Sequence, residues 1–217
     1  MRRNREVLLT INWRSPTIAI AAVTSIVSLL IILSGFSGLA AGTMGFVPAR
    51  LSGVLNLPSA IPAVLTPFSS TLVHGGLMHL LFNMLMLLLC GVAVERVLGP
   101  PGLVVIYLVS AVVSALAQWS VDPAGLSPVI GASGAISGVI GAYALSFGRP
   151  KQVSRNPTVN RLIHIVWLAV AWTVLQIGVG YAAGTEGLML ATPAHVAGFI
   201  TGLVLQRPLL LWRYRKA

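Results

Sequence analysis

Six apolar stretches, each close to the thickness of a bilayer, constrain this chain more than any other feature. They run over about 17–40, 72–94, 101–119, 131–147, 162–182 and 193–212. A helix needs about 20 apolar residues to cross the hydrocarbon core. An unclosed strand cannot satisfy its backbone in lipid, so every stretch is expected to be helical. Charged residues make up 8% of the 217, and the mean hydropathy is +0.91. A soluble domain carries about a quarter charged residues. The expectation is an all-α, polytopic membrane protein, a bundle of six transmembrane helices. It forms a single domain over 1–217, with short basic tails at about 1–16 and 213–217. Pro48, Pro58, Pro62 and Pro67 disfavour a continuous helix in the longest connection, 41–71.

The net charge of +10 suggests nucleic acid until the charges are placed. Nucleic-acid binding needs a basic patch on one face of a fold. Here the basic residues lie between apolar stretches and at the two ends. Thirteen of the fourteen, among them Arg2, Arg96, Arg149, Lys151, Arg207 and Arg213, fall on one side of a six-span topology, and Arg50 alone falls on the other. The positive-inside rule then puts both termini in the cytoplasm. The uncharged stretch from Ser15 to Ala49 far exceeds the 7–15 residues of a signal-peptide core, so the first span is expected as a retained anchor. Cys90 is the only cysteine, which excludes a disulfide within the chain and points to a small packing residue.

Polar groups inside a bilayer are costly and point to function. The second span contains VHGGLMHLLFNM, with His74 at its mouth and His79 and Asn83 four apart on one helical face. Ser133 opens the fourth span and His195 lies near the start of the sixth. The topology places Ser133, His195, His79 and Asn83 in the same outer half of the membrane. Gly134 and Gly138 form one GxxxG pair, and Gly198 and Gly202 another. Small faces let helices approach closely in lipid. Packing of these two faces would bring Ser133 to His195.

Those residues carry the parts of acyl transfer at a serine. Imidazole can take the hydroxyl proton near neutral pH and return it to the leaving amine. The oxyanion needs preorganised donors. Asn83 offers an amide, His79 a ring N–H, and Ser133 its own backbone N–H at a helix N-terminus. The acids are Glu6, Glu95, Asp122 and Glu186, and none stands near Ser133 or His195 in sequence. The economical reading is a Ser–His dyad.

HGGLMHLLFNM (74–84), GASG (131–134) and AHVAG (194–198) resemble the three signatures of rhomboid intramembrane serine proteases, in the family's order. VERVLG (94–99) is similar to that family too. The resemblance covers about 72–205 and implies a six-helix rhomboid-like bundle with a water-filled cavity open to the outside. It implies Ser133 as nucleophile, His195 as general base, oxyanion stabilisation by Asn83 and His79, and supporting roles for His74, Gly131 and Gly134. Substrates of such enzymes are single-span membrane proteins, cut in or near the outer part of the span within the lipid bilayer. No metal or other cofactor is implied. The expected location is a bacterial cytoplasmic membrane, with the site facing outward.

Two departures stand out. Some relatives carry a Trp-Arg pair in the first outer loop, which here holds no tryptophan. Some place an aromatic residue four after the nucleophile, where this chain has Ser137. The glycine-rich outer end of the fifth span, GVGYAAG (178–184), suggests a helix that moves to admit substrate sideways. Two other readings fit these residues less well. A catalytically silent client-binding relative should lose the serine or the base, and both are present. A hydrolase using His74, His79 and His195 as zinc ligands lacks HExxH and an acid to serve as base.

Overall fold

The computed structural model describes residues 15–185 and 191–215, except the side chains of 182–185. Of the expected tails, residues 1–14 and 216–217, with Arg2, Arg3, Arg5, Glu6, Trp13, Arg14 and Lys216, lie outside the described residues, as does Glu186. The chain is an all-α membrane bundle. Its long helices are α1 (Pro16–Leu33), α5 (Leu77–Val121), α6 (Ser133–Phe147), α7 (Pro157–Thr185) and α8 (Thr192–Arg213). Three short helices, α2 (Ser37–Met44), α3 (Pro48–Leu51) and α4 (Thr66–Ser69), lie in the connection between α1 and α5.

Four of the long helices are apolar and long enough to cross a membrane, and α6 is a shorter apolar helix of 15 residues. At 45 residues α5 is about twice the length of one crossing. It is two helices joined at Gly99, whose φ of 78° suits glycine and interrupts the helix. Pro100 and Pro101 then open the second limb, where missing N–H groups cost nothing. Six apolar segments result, but the second and third expected spans are separated by one residue rather than a loop.

The first span is shorter than its hydropathy suggests. Helix α1 ends at Leu33, not near 40, because Gly35 turns the chain at φ 77° and α2 begins afresh at Ser37. Glu95 does not pair along its own helix. Its Oε2 accepts from Ser15 Oγ (2.5 Å), Thr17 Oγ1 (2.6 Å) and Thr17 N (3.2 Å), and so satisfies the start of α1. Arg213 Nη1 donates to Arg96 O beside the Gly99 break (2.5 Å). The start of α1, the break in α5 and the end of α8 therefore share one end of the bundle.

The core is built from α5, α6 and α8. The two glycine pairs do meet: a Cβ on Gly202 would collide with Gly138 O, and one on Gly198 with Gly134 O. A Cβ on Gly138 would meet the Ser110 side chain of α5. The helices thus approach backbone to backbone, as small residues permit in lipid.

The first loop is anchored without a Trp-Arg pair. Phe46 and Val129 exchange both backbone hydrogen bonds (3.0 and 2.8 Å). Arg50 Nη2 donates to Ile61 O (2.5 Å), and Trp119 Nε1 donates to Ser52 Oγ (2.8 Å), which donates to Pro123 O (2.7 Å). The tryptophan comes from the far end of α5 instead.

Candidate active site

Ser133 is the first residue of α6, and the segment before it is fixed from three directions. Val129 is bridged to Phe46, Gly131 N donates to Ser70 O (2.9 Å), and Ala132 N donates to His74 Nε2 (3.4 Å). Gly131 has φ 103°, a conformation that favours glycine, and an added Cβ would lie 2.7 Å from the His79 ring. The tight turn delivers Ser133 to the head of the helix. Its N–H is one of those that a helix leaves uncommitted.

His195 lies in the first turn of α8, after Thr192 and Pro193. The glycine contacts set α8 against α6 at a depth that leaves Ser133 Oγ 2.7 Å from His195 Nε2. Both side chains are partly buried. They border a cavity of about 30 Å³ whose walls include Phe46, Ser70, Gly131 and Ala194.

His74 precedes α5 rather than lying within it, and it is fully buried. Its Nε2 accepts from Ala132 N, which requires its proton on Nδ1. Nδ1 lies 2.8 Å from Ser28 Oγ, and that hydroxyl donates to Leu72 O (2.8 Å). His74 therefore ties α1 to the turn before Ser133. His79, on the first turn of α5, packs edge-on against His74 with ring centroids 4.9 Å apart. Gly75 N donates to His79 Nδ1 (3.4 Å), which leaves the His79 proton on Nε2, beside Gly131. Asn83 is buried, and its Nδ2 donates to His79 O (2.8 Å) with a second N–H to spare. Its Oδ1 is buried without a partner. Gly134 serves contact, since a Cβ there would lie 2.8 Å from the Ser114 side chain.

Ser137 does not support His195. Its hydroxyl donates to Ser133 O (2.7 Å), back along its own helix, as serines in apolar helices do. The imidazole is held from α7. Gln176 Oε1 lies 2.9 Å from His195 Nδ1, and Trp172 Nε1 donates to His195 O (3.2 Å) while its ring stacks on Phe199 (4.7 Å, 8°). Sequence reasoning missed Gln176. Its signal was an amide in an apolar span, four residues after Trp172 on the same face. Ser28 was missed in the same way.

Comparison with known proteins identifies the family. The Rhomboid domain model matches residues 62–212. RHOMBOID-like protein 4 of Arabidopsis thaliana is 33% identical over 140 residues, which is 64% of this chain and 32% of that protein. Rhomboid protease GlpG of Pectobacterium atrosepticum is 36% identical over 139 residues, covering 64% and 46% of the two chains. Rhomboid protease GluP of Bacillus subtilis is 31% identical over 140 residues, covering 64% and 24%. The matched region is less than half the length of each of these relatives. With two thirds of its length matched by the family model, the chain belongs to the rhomboid family.

Proposed function

We propose that the protein is an intramembrane serine protease that hydrolyses peptide bonds in or near the transmembrane segments of membrane proteins. The observation that carries this reading is the 2.7 Å approach of Ser133 Oγ to His195 Nε2 across two helices. Ser133 Oγ attacks the scissile carbonyl as its proton passes to His195 Nε2. The oxyanion is met by the Ser133 N–H, the free N–H of Asn83 and the Nε2–H of His79. His195 then protonates the leaving amine, and a water activated by the same imidazole hydrolyses the acyl-enzyme.

The names of the bacterial relatives, Rhomboid protease GlpG and GluP, support a peptide substrate. The apolar outer surface supports one that arrives through lipid, and single-span proteins are the simplest such substrates. A scissile helix must unwind before its carbonyl is exposed, so glycine-containing segments should be cut fastest. The site lies at the end of the bundle opposite Arg96 and Arg213. On the positive-inside rule that end faces away from the cytoplasm, and a bacterial cytoplasmic membrane fits. Residues 1–217 act as one domain in this reading.

The test is purified protein in liposomes with a single-span substrate. Ser133→Ala should lower cleavage by about a thousandfold or more. A fluorophosphonate probe should label the wild type at Ser133 and fail to label His195→Ala. Retained cleavage in Ser133→Ala would refute the mechanism. A wild type that binds the substrate but neither cuts it nor takes the probe would be a client-binding protein instead.

A further inference from the structure

Helix α7 presents one face to α8, defined by Trp172, Gln176 and Gly180 at four-residue spacing. Trp172 stacks on Phe199 and donates to His195 O. Gly180 sits where a Cβ would touch Thr192 Oγ1 at 2.7 Å. Between these two contacts the face is pinned, and Gln176 has little freedom to leave His195. The amide is partly buried in an apolar helix, where an unpaired polar group is costly.

An amide oxygen only accepts. Gln176 Oε1 at 2.9 Å therefore asks His195 to carry its proton on Nδ1. Nε2 is then the bare nitrogen, and it is the one 2.7 Å from Ser133 Oγ. Among the described residues, the other titratable group facing His195 is His79 of α5, and neither α6 nor α7 presents a carboxylate to it.

We propose that Gln176 is the positioning residue of the site: it locks His195 in the tautomer whose Nε2 lone pair faces Ser133, the part a carboxylate plays in a triad. This rests on the reading of His195 as general base for its kinetic consequence alone. The orientation itself is independent of that reading. Because the amide is neutral, it fixes the tautomer without adding charge to the imidazole.

The experiment uses the full chain in detergent micelles, with 15N-labelled histidine. The His195 ring should show a protonated Nδ1 and an unprotonated Nε2 in the wild type, and a mixture of tautomers in Gln176→Leu. The same variant should lose about tenfold in kcat with KM within about twofold. Gln176→Glu restores an acceptor and should recover most of kcat. Its carboxylate favours the protonated imidazole, so the acid limb of the kcat profile should move about one unit or more to higher pH. A wild-type His195 protonated on Nε2 overturns the proposal, and so does a Leu variant with unchanged tautomer and kcat. So does a Glu variant with an unmoved acid limb. Failure of the fluorophosphonate probe to label the wild type would defeat the protease reading instead, and the ring measurement would still decide the role of Gln176.

Discussion

Helices α6 and α7 are both apolar, yet the bundle holds them in opposite ways. Helix α6 is enclosed by α5 and α8, and Gly141, Gly198 and Gly202 admit backbone atoms where a methyl group would stand. Between 161 and 181, no residue of α7 is buried. Val166, Trp167, Val170, Val174, Leu175 and Ile177 all face outward, and α8 is the main neighbour. The difference separates two tasks. Ser133 and His195 sit on the two helices that cannot shift without backbone collision. The group that orients the imidazole sits on α7, which meets α8 through Trp172 and Gly180 and is largely exposed elsewhere. In the proposed protease this arrangement holds Ser133 Oγ and His195 Nε2 in register and leaves any opening toward lipid to α7.

The sharpest test of this contrast ties α7 covalently to α8. The positions of a Cβ on Gly180 and of Thr192 Cβ are 4.0 Å apart, within the range of about 3.5–4.5 Å that a disulfide spans. Gly180→Cys with Thr192→Cys should therefore cross-link α7 to α8 on oxidation. If α7 moves to admit substrate, cleavage of a transmembrane substrate should fall by tenfold or more. Labelling of Ser133 by a small fluorophosphonate should persist, and reduction should restore cleavage. Undiminished cleavage in the oxidised protein would remove the moving helix from the mechanism.

A smaller effect, of the opposite origin, is expected in the enclosed region. Gly202→Ala places a methyl group against Gly138 O, a backbone atom with no rotamer to retreat into. Overpacking of this kind costs about 1–3 kcal/mol. The separation of α6 and α8 should also widen, so that Ser133 drifts from His195. Unfolding in mixed micelles should show the lost stability, and kcat should fall with it. An alanine variant as stable and as active as the wild type would mean that the α6–α8 contact is looser than its geometry states.

The same contrast explains how much was legible in the sequence. Ser133 and His195 could be expected on one side because polar groups are rare in these spans and the charge pattern gives each span an expected direction. The glycine pairs were legible for a related reason: a four-residue repeat of small residues has few uses in lipid besides close packing. Hydropathy could not see the turn at Gly35, since apolar residues continue on both sides of it. Nor could it see Glu95 reaching α1 across 80 residues of chain, or Trp119 reaching the first loop. Gln176 escaped because the inward face of α7 is set by its contact with α8, and its own pattern is apolar all round.

The smallest expected effect is the control that gives the comparison its meaning. Gly178 is exposed on α7, and a Cβ there meets nothing within 4 Å. Its substitution by alanine is the same chemical change as at Gly202, made in a helix of similar apolar character. With no collision to oppose it, the remaining term is backbone entropy, which favours alanine over glycine in a helix by about 1 kcal/mol. Gly178→Ala should thus leave stability unchanged or slightly raised, where Gly202→Ala lowers it. Activity is the more telling readout. If α7 swings as a rigid rod, stiffening it at Gly178 should leave kcat and KM within about twofold of the wild type. If it bends at its glycines instead, cleavage of the membrane substrate should slow while probe labelling of Ser133 does not. The two outcomes separate a hinge at the end of α7 from a hinge within it, and neither can be obtained from the enclosed helices, where the same methyl group acts through collision.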